Sequence, residues 1–424
     1  MRKIWSAIKH KFNRLGPGFI TGAADDDPSG IATYSITGAQ FGYKLSWLSL
    51  FLTPMMVTIQ EMCGRIGMVS GRGLAGSIKK YYSKKLLFFA VTLLLIANTI
   101  NIGSDLGIMA ASLQMILGLP FLLWLIIVTI FTVALEIFVP YDKYSRYLKW
   151  MGLSVLVYGL TAILVKQDWL SIIRYMLIPH IELNSNYIMT IVACLGTSIS
   201  PYLFFWQASE QVEEEIKEGK IQEFEESPKI IEAEIKYMQK DTLFGMVFSN
   251  LIFFFIVLTT SATLHRSGIF DIETPQQAAL ALRPLAGDFA YLLFTLGIIG
   301  IGLQAVPVLA GAVAYAIAET FGFKEGLAKK LTEAKTFYAV LGLATLTGAL
   351  MNLIGINAIK ALYYTAVING IIAVPLIAII IKLADDERIV GNFKSSKRRR
   401  VIAWITFLFM GIAALLMIIN LIRS

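Results

Sequence analysis

Three consecutive carboxylates, Asp25-Asp26-Asp27, followed at once by Pro28-Ser29-Gly30, lie inside the first long apolar run of the sequence. One carboxylate at bilayer depth costs about 2.5–3.5 kcal/mol on insertion scales, so a triplet beside a helix breaker calls for a compensating partner. The pattern predicts a broken helix whose unwound middle holds a cation. Unwound backbone presents carbonyl oxygens and aspartate adds full charge; both are hard ligands suited to magnesium, calcium or manganese. Asp27, immediately before the proline, is the first candidate ligand, while Asp25 and Asp26 face a water-filled vestibule or one stays protonated beside its neighbours. A second apolar run is interrupted in a similar way, by Gly196-Thr197-Ser198-Ile199-Ser200-Pro201-Tyr202. Pro201 lacks an amide donor and clashes with the preceding turn, which frees carbonyls just before it.

The elements that position these residues are membrane spans. The chain has 424 residues, 56% hydrophobic and only 16% charged, with a mean hydropathy of +0.68. That composition excludes an ordinary soluble enzyme, and no nucleophile–base or resident-metal motif points to catalysis or to a cofactor. Apolar runs of spanning length fall at 17–38, 45–66, 87–111, 117–139, 149–165, 187–208, 242–264, 288–318, 336–355, 359–383 and 401–422. The fold class is an all-α polytopic membrane protein of eleven transmembrane helices in a single domain, 1–424.

The first and sixth spans are the two interrupted ones, and each opens a group of five: 17–165, then 187–383, with 401–422 left over. Five is odd, so the second group starts from the opposite side of the membrane. That is a 5+5 inverted repeat, and matching breaks point to a substrate site at mid-bilayer.

Basic residues cluster at the N-terminus (Arg2, Lys3, Lys9, Lys11, Arg14), after the second span (Arg72, Lys79, Lys80, Lys84, Lys85) and after the tenth (Lys394, Lys397, Arg398, Arg399, Arg400). The positive-inside rule then places the N-terminus in the cytoplasm of a multi-pass cell-membrane protein. It also accounts for much of the net charge of +8 without nucleic acid. The first apolar stretch is long and carries the acidic break, so no cleavable signal peptide is expected. Cys63 and Cys194 match no metal or redox spacing and read as packing residues.

Other polar groups are read more simply. The Glu-rich segment 210–241 reads as a solvated helical loop, with a metal-sensing segment as the alternative. Asp105 on the third span is either part of an ion pathway or a hydrogen-bonded structural group. Glu61 and Glu136 are expected to pair with Arg65 or to meet solvent. Asn98, Asn101 and Asn369 are expected to join helices, Asn369 with a further option of approaching the ion. Phe204-Phe205-Trp206 reads as lipid-facing or packing surface.

Gly16-Pro17-Gly18-Phe19, Asp27-Pro28, Ala32-Thr33, the run Gly38-Ala39-Gln40-Phe41-Gly42-Tyr43-Lys44 and Gly64-Arg65-Ile66-Gly67 together resemble the NRAMP family of divalent metal transporters, over much of the chain. The resemblance implies a LeuT-like fold and alternating access for a divalent cation. It also implies the site: Asp27, the carbonyls of Ala24 and Thr197, and Ser200.

Departures from that family narrow the expectation. Where its manganese and iron transporters have Asp-Pro-Gly-Asn, this chain has Asp27-Pro28-Ser29-Gly30, so Gly30 stands in place of an asparagine ligand. Where they have Met-Pro-His, it has Ser200-Pro201-Tyr202, without the thioether that favours softer metals. Both changes shorten a side chain and leave an oxygen-lined, roomier site, suited to an ion that keeps part of its water, as magnesium does. The substitutions resemble the family's magnesium-transporting branch.

Tyr202 and Gln207 occupy the sixth-span histidine positions, Ile108 replaces a third-span glutamate, and 336–355 holds no arginine. Transport is therefore expected to run without proton coupling, by a monomer whose partners are divalent cations and the bilayer, Mg2+ first and Mn2+ next. The alternatives are a sodium-coupled symporter of a small organic solute on the same fold, and a transport-dead sensor subunit.

Overall fold

The computed structural model describes residues 16–139 and 155–423. The basic N-terminal residues Arg2 to Arg14, His10 and the start of the predicted span 149–165 lie outside the described residues. No strand occurs among the described residues.

Both predicted breaks are present and built alike. Helix α1 (Pro17–Asp25) ends, Asp26 and Asp27 are non-helical, and α2 (Pro28–Phe41) begins on a proline with Asp27 as its N-cap. Further along, α9 (Ser185–Ser198) ends, Ile199 and Ser200 are non-helical, and α10 (Pro201–Lys217) again begins on a proline. Proline suits this position because its fixed φ fits the first helical turn and its missing N–H would be unpaired there anyway.

Between the breaks run α3 (Leu48–Ser70), α4 (Leu74–Tyr81), α5 (Lys84–Leu117), α6 (Phe121–Phe138), α7 (Leu156–Leu164) and α8 (Trp169–Leu177). After the second break come α11 (Glu232–Thr263), α12 (Ala290–Phe321), α13 (Lys335–Leu350), α14 (Ala358–Asp385) and α15 (Lys397–Arg423). Among the described residues, eight helical runs are long and apolar enough to cross a membrane by length and composition. The first span is not one of them because its break leaves helices of 9 and 14 residues. At 23 residues α3 is long enough, but Gln60, Glu61 and Arg65 make it more polar. The outward faces fit lipid: Ile126, Ile127, Ile130 and Phe131 of α6 are exposed together.

Helix α1 is held against α11 in two ways. The Asp241 carboxylate accepts the amides of Gly16, Gly18 and Phe19 at 3.0, 2.8 and 3.3 Å, satisfying donors that the start of a helix leaves open. One turn further, the backbones touch: a Cβ added at Gly22 would lie 2.3 Å from the carbonyl of Gly245. A comparable backbone contact brings Gly196 of α9 against Ala366 and Gly370 of α14.

Two readings of charged segments need correction. The segment 210–241 is not one solvated loop, because α10 runs to Lys217 and α11 starts at Glu232, and Glu210, Glu213 and Glu215 are only 5%, 4% and 0% exposed. Composition does not reveal which face of a charged helix turns inward; here Glu213 accepts from the Tyr315 hydroxyl at 2.6 Å and the Leu327 amide at 2.8 Å. Glu136 meets neither Arg65 nor solvent but accepts from Thr345 of α13 at 3.0 Å. The connection before α9 carries an amphipathic helix, α8, whose Trp169, Leu170, Ile173 and Leu177 are exposed. Glu61 does pair with Arg65, at 2.8 Å, and Asn98 does join helices, donating to the Leu309 carbonyl at 2.8 Å.

The α1–α11 contact leaves no room for a side chain. Gly22→Ala is expected to destabilise the protein by about 1–3 kcal/mol through overpacking, seen as a lowered melting temperature of the purified protein in detergent.

Candidate cation site

The two breaks meet. A Cβ added at Gly30 would lie 3.2 Å from the Thr197 side chain and 3.5 Å from the Asp25 carbonyl, so this glycine stands where the first break faces the second. Across the same seam the Tyr34 and Ser198 hydroxyls are 2.9 Å apart, and the Tyr202 hydroxyl donates to the Ala24 carbonyl at 2.8 Å. Asp25, Asp26, Asp27, Thr197, Ser200 and Tyr202 are all at most 2% exposed, so the junction is closed to both sides.

Asp27 is the best-provided carboxylate. As N-cap of α2, its Oδ1 accepts the Gly30 amide at 2.8 Å and the Ser29 hydroxyl at 2.6 Å. Its Oδ2 accepts from Asn101 of α5 at 3.0 Å. Asn101 therefore joins helices as expected, but it does so through the site itself. The signal was present in the spacing, since Asn101 precedes Asp105 by four residues and shares its helix face.

Asp25 and Asp26 are provided for less fully. They share one donor, the Ser249 hydroxyl of α11, at 2.5 and 3.3 Å, and Asp25 Oδ1 and Asp26 Oδ2 have no hydrogen-bond partner. Neither faces a vestibule in this conformation, because both lie in the closed core between α1 and α11. Nothing in the sequence marked Ser249, a single hydroxyl among many in apolar helices. Asp105 is fully buried and neither of its oxygens is hydrogen-bonded. No lysine, arginine or histidine forms an ion pair with any of these four aspartates among the described residues. The result is a closed cluster of carboxyl groups without basic partners among the described residues, three of them short of donors.

The backbone oxygens named from the sequence are occupied by protein donors. The Ser200 hydroxyl donates to the carbonyls of Thr197 at 2.6 Å and Gly196 at 2.7 Å, and Tyr202 holds Ala24. A cation could take these carbonyls only as the two hydroxyls turn away. Among the described residues no three His, Cys, Asp or Glu side chains converge as a metal cage. The donor set consists of carboxylate, carbonyl and hydroxyl oxygens, the chemistry that suits hard divalent ions.

Two further residues named from the sequence carry unpaired amides. Gln207 is buried against Gly64 of α3, 3.1 Å from a Cβ added there, with its amide unpaired. Asn369 is buried beside the α9–α14 contact, and its Nδ2 has no partner. The histidines that are described lie outside the long helices: His180, in a loop, contacts Glu182 at 3.0 Å, and His265, in a short 3-10 turn, contacts the Ala39 carbonyl through Nδ1 at 2.7 Å.

Paired half-helix breaks meeting inside an all-helical bundle define an integral membrane protein of the LeuT-like fold. The chain matches, over residues 18–420, the family model described as natural resistance-associated macrophage protein-like, Nramp, and it belongs to that family. A manganese transporter of Eremococcus coleocola, in complex with an aromatic bis-isothiourea substituted compound, shares the fold with a TM-score of 0.69. That match has 17% identity and covers 96% of this chain and 85% of that one. MhsT in complex with L-phenylalanine gives a TM-score of 0.62 at 13% identity, covering 96% of this chain and 98% of that one. Mhp1, a nucleobase-cation-symport-1 family transporter, in a closed conformation with bromovinylhydantoin bound, gives 0.60 at 12% identity, with 96% and 90% covered.

Ser249→Ala removes the one hydroxyl that Asp25 and Asp26 share as donor among the described residues. Leaving such groups unsatisfied is expected to cost about 1–3 kcal/mol, measured as lost thermal stability, with Ser249→Thr retaining most of it.

Proposed function

We propose that this protein is a secondary transporter that carries a partly hydrated divalent cation, Mg2+ first and Mn2+ next, across the cell membrane by alternating access. The observation that carries the reading is the junction itself: four buried aspartates, three of them with too few donors and none with a basic partner among the described residues, beside two half-helix breaks lined by carbonyls and hydroxyls. Asp27 supplies the charge, Ala24 and Thr197 the carbonyls, and Ser200 a hydroxyl or water contact. With glycine at 30 and serine at 200, neither position sets a carboxamide or a thioether against the ion, so oxygen ligands and water complete its shell, which favours an ion that sheds its water reluctantly.

The N-terminus is placed in the cytoplasm, and the protein works as a monomer. Supporting this orientation, the basic segments meet at the end of the bundle where α1 begins: Arg399 approaches Glu61 at 3.5 Å, and Arg72 reaches the Glu225 carbonyl beside Gly71. An inside-negative potential contributes about 2.3 kcal/mol per charge per 100 mV, twice that for a divalent ion, so inward movement needs no coupled proton. The described histidines, held outside the long helices, offer no relay to the junction.

Reconstituted in liposomes, the protein is expected to move Mg2+ and Mn2+ inward while the internal pH stays constant, and Asp27→Ala to abolish the flux. Absence of flux for both ions, or an active Asp27→Ala variant, would sink the reading; acidification in step with metal uptake would remove the uncoupled part alone. Tyr202→Phe releases the Ala24 carbonyl from its hydroxyl, so the half-saturating Mg2+ concentration is expected to fall several-fold if that carbonyl binds the ion.

A further inference from the structure

A second group of carboxylates lies at the end of the bundle where α1 begins, remote in sequence from the aspartate junction. Glu215 and Glu218 at the C-terminal end of α10, and Glu234 in the first turn of α11, line a cavity of about 350 Å³ that is also bounded by Gly16, Pro17 and Asp241. Carboxylates at a helix C-terminus oppose the helix dipole, which places partial negative charge there. Glu215 is fully buried, and its Oε1 meets no hydrogen-bond donor. The arrangement needs a positive charge from somewhere.

The chain supplies one from its own loop. Gly219, with φ +71°, lets the backbone reverse just after α10. Lys220 is thereby returned over the helix end, where its Nζ lies 2.9 Å from Glu215, 2.7 Å from Glu218 and 2.7 Å from Glu234. Partial burial works against its charge, but hydrogen bonds to Glu218, Glu234 and Glu215 hold the ammonium pKa above its ordinary value. Glu234 also spends its Oε2 on the Ile231 amide, capping its own helix. One ammonium thus faces three carboxylates, which leaves the cluster two positive charges short of balance.

We infer that this cavity is a second cation site, in which a hydrated divalent cation replaces the Lys220 ammonium between Glu215, Glu218 and Glu234. Because the described carboxylates do not close into a cage for a bare ion, the ion is held through its own water, as suits Mg2+. By putting two positive charges where Lys220 puts one, it halves the cluster's excess from two negative charges to one. The site bridges the end of α10 to the start of α11 beside the start of α1, so its occupancy reports the cation concentration on that side. That this side is the cytoplasm rests on the orientation proposed above.

The test is Mn2+ binding to the full-length Asp27→Ala protein in detergent, read by titration calorimetry and by loss of the free-ion electron paramagnetic resonance signal. Asp27→Ala removes the junction ligand and leaves the second site. Mn2+ is expected to bind this variant, several-fold more tightly when Lys220→Gln is added and several-fold more weakly with Glu218→Gln or Glu234→Gln. These last two positions lie at the cavity's outer side, so the test does not depend on substituting the buried Glu215. A protein that binds no Mn2+, or whose binding is indifferent to all three changes, overturns the inference. Binding that follows this pattern in a protein that transports neither ion would sustain the second site while removing the transport reading.

Discussion

A carboxylate held away from water has to be given donors, and the interior of this bundle is arranged around how fully that need is met. Asp241 and Glu61 are buried without difficulty: the first receives three backbone amides, the second Arg65 and Gln239. Asp27 receives an amide, a hydroxyl and a carboxamide. Asp25 and Asp26 must share one hydroxyl, and Asp105 has none. The same residue type is therefore structural at one depth of the bundle and short of positive charge at another. The number of donors, rather than the presence of aspartate, separates the two.

That distinction explains which parts of the site could be read from the chain. Proline and glycine act locally, so both breaks and the role of Asp27 as the residue before Pro28 were legible to within a residue or two. Asn101 was half legible, through its spacing from Asp105. The bond from Tyr202 to Ala24 joins residues 178 apart in the chain and has no sequence signature. For Asp25 and Asp26 the alternatives were a vestibule or one protonated carboxyl, and the sequence holds no trace of Ser249 folding over them.

The Glu-rich stretch was misread for a related reason. A composition rich in charge describes a segment on average, whereas burial is decided side by side around a helix. Glu213 and Glu215 turn inward, while Glu218, Glu223 and Glu225 remain outside. Of the fifth predicted span, only the later part, with α7, falls among the described residues. Membership in the Nramp family and the LeuT-like fold place the whole on a known architecture; the residues at the breaks carry what is particular to this chain.

The contact between α1 and α11 has a mechanical consequence. Two helices joined at a carboxylate cap and again where glycine backbones touch behave as one lever, since neither can slide without breaking amide bonds at Asp241 or colliding at Gly245. Any tilt of α1 therefore carries α11 with it, and Ser249, only four residues beyond Gly245, travels with Asp25 and Asp26. Asp25 and Asp26 are thus tied through their shared donor to the α1–α11 pair, whereas Asp27 is tied to the far half-helix and to Asn101. The non-helical step at Asp26 and Asp27 separates the two attachments.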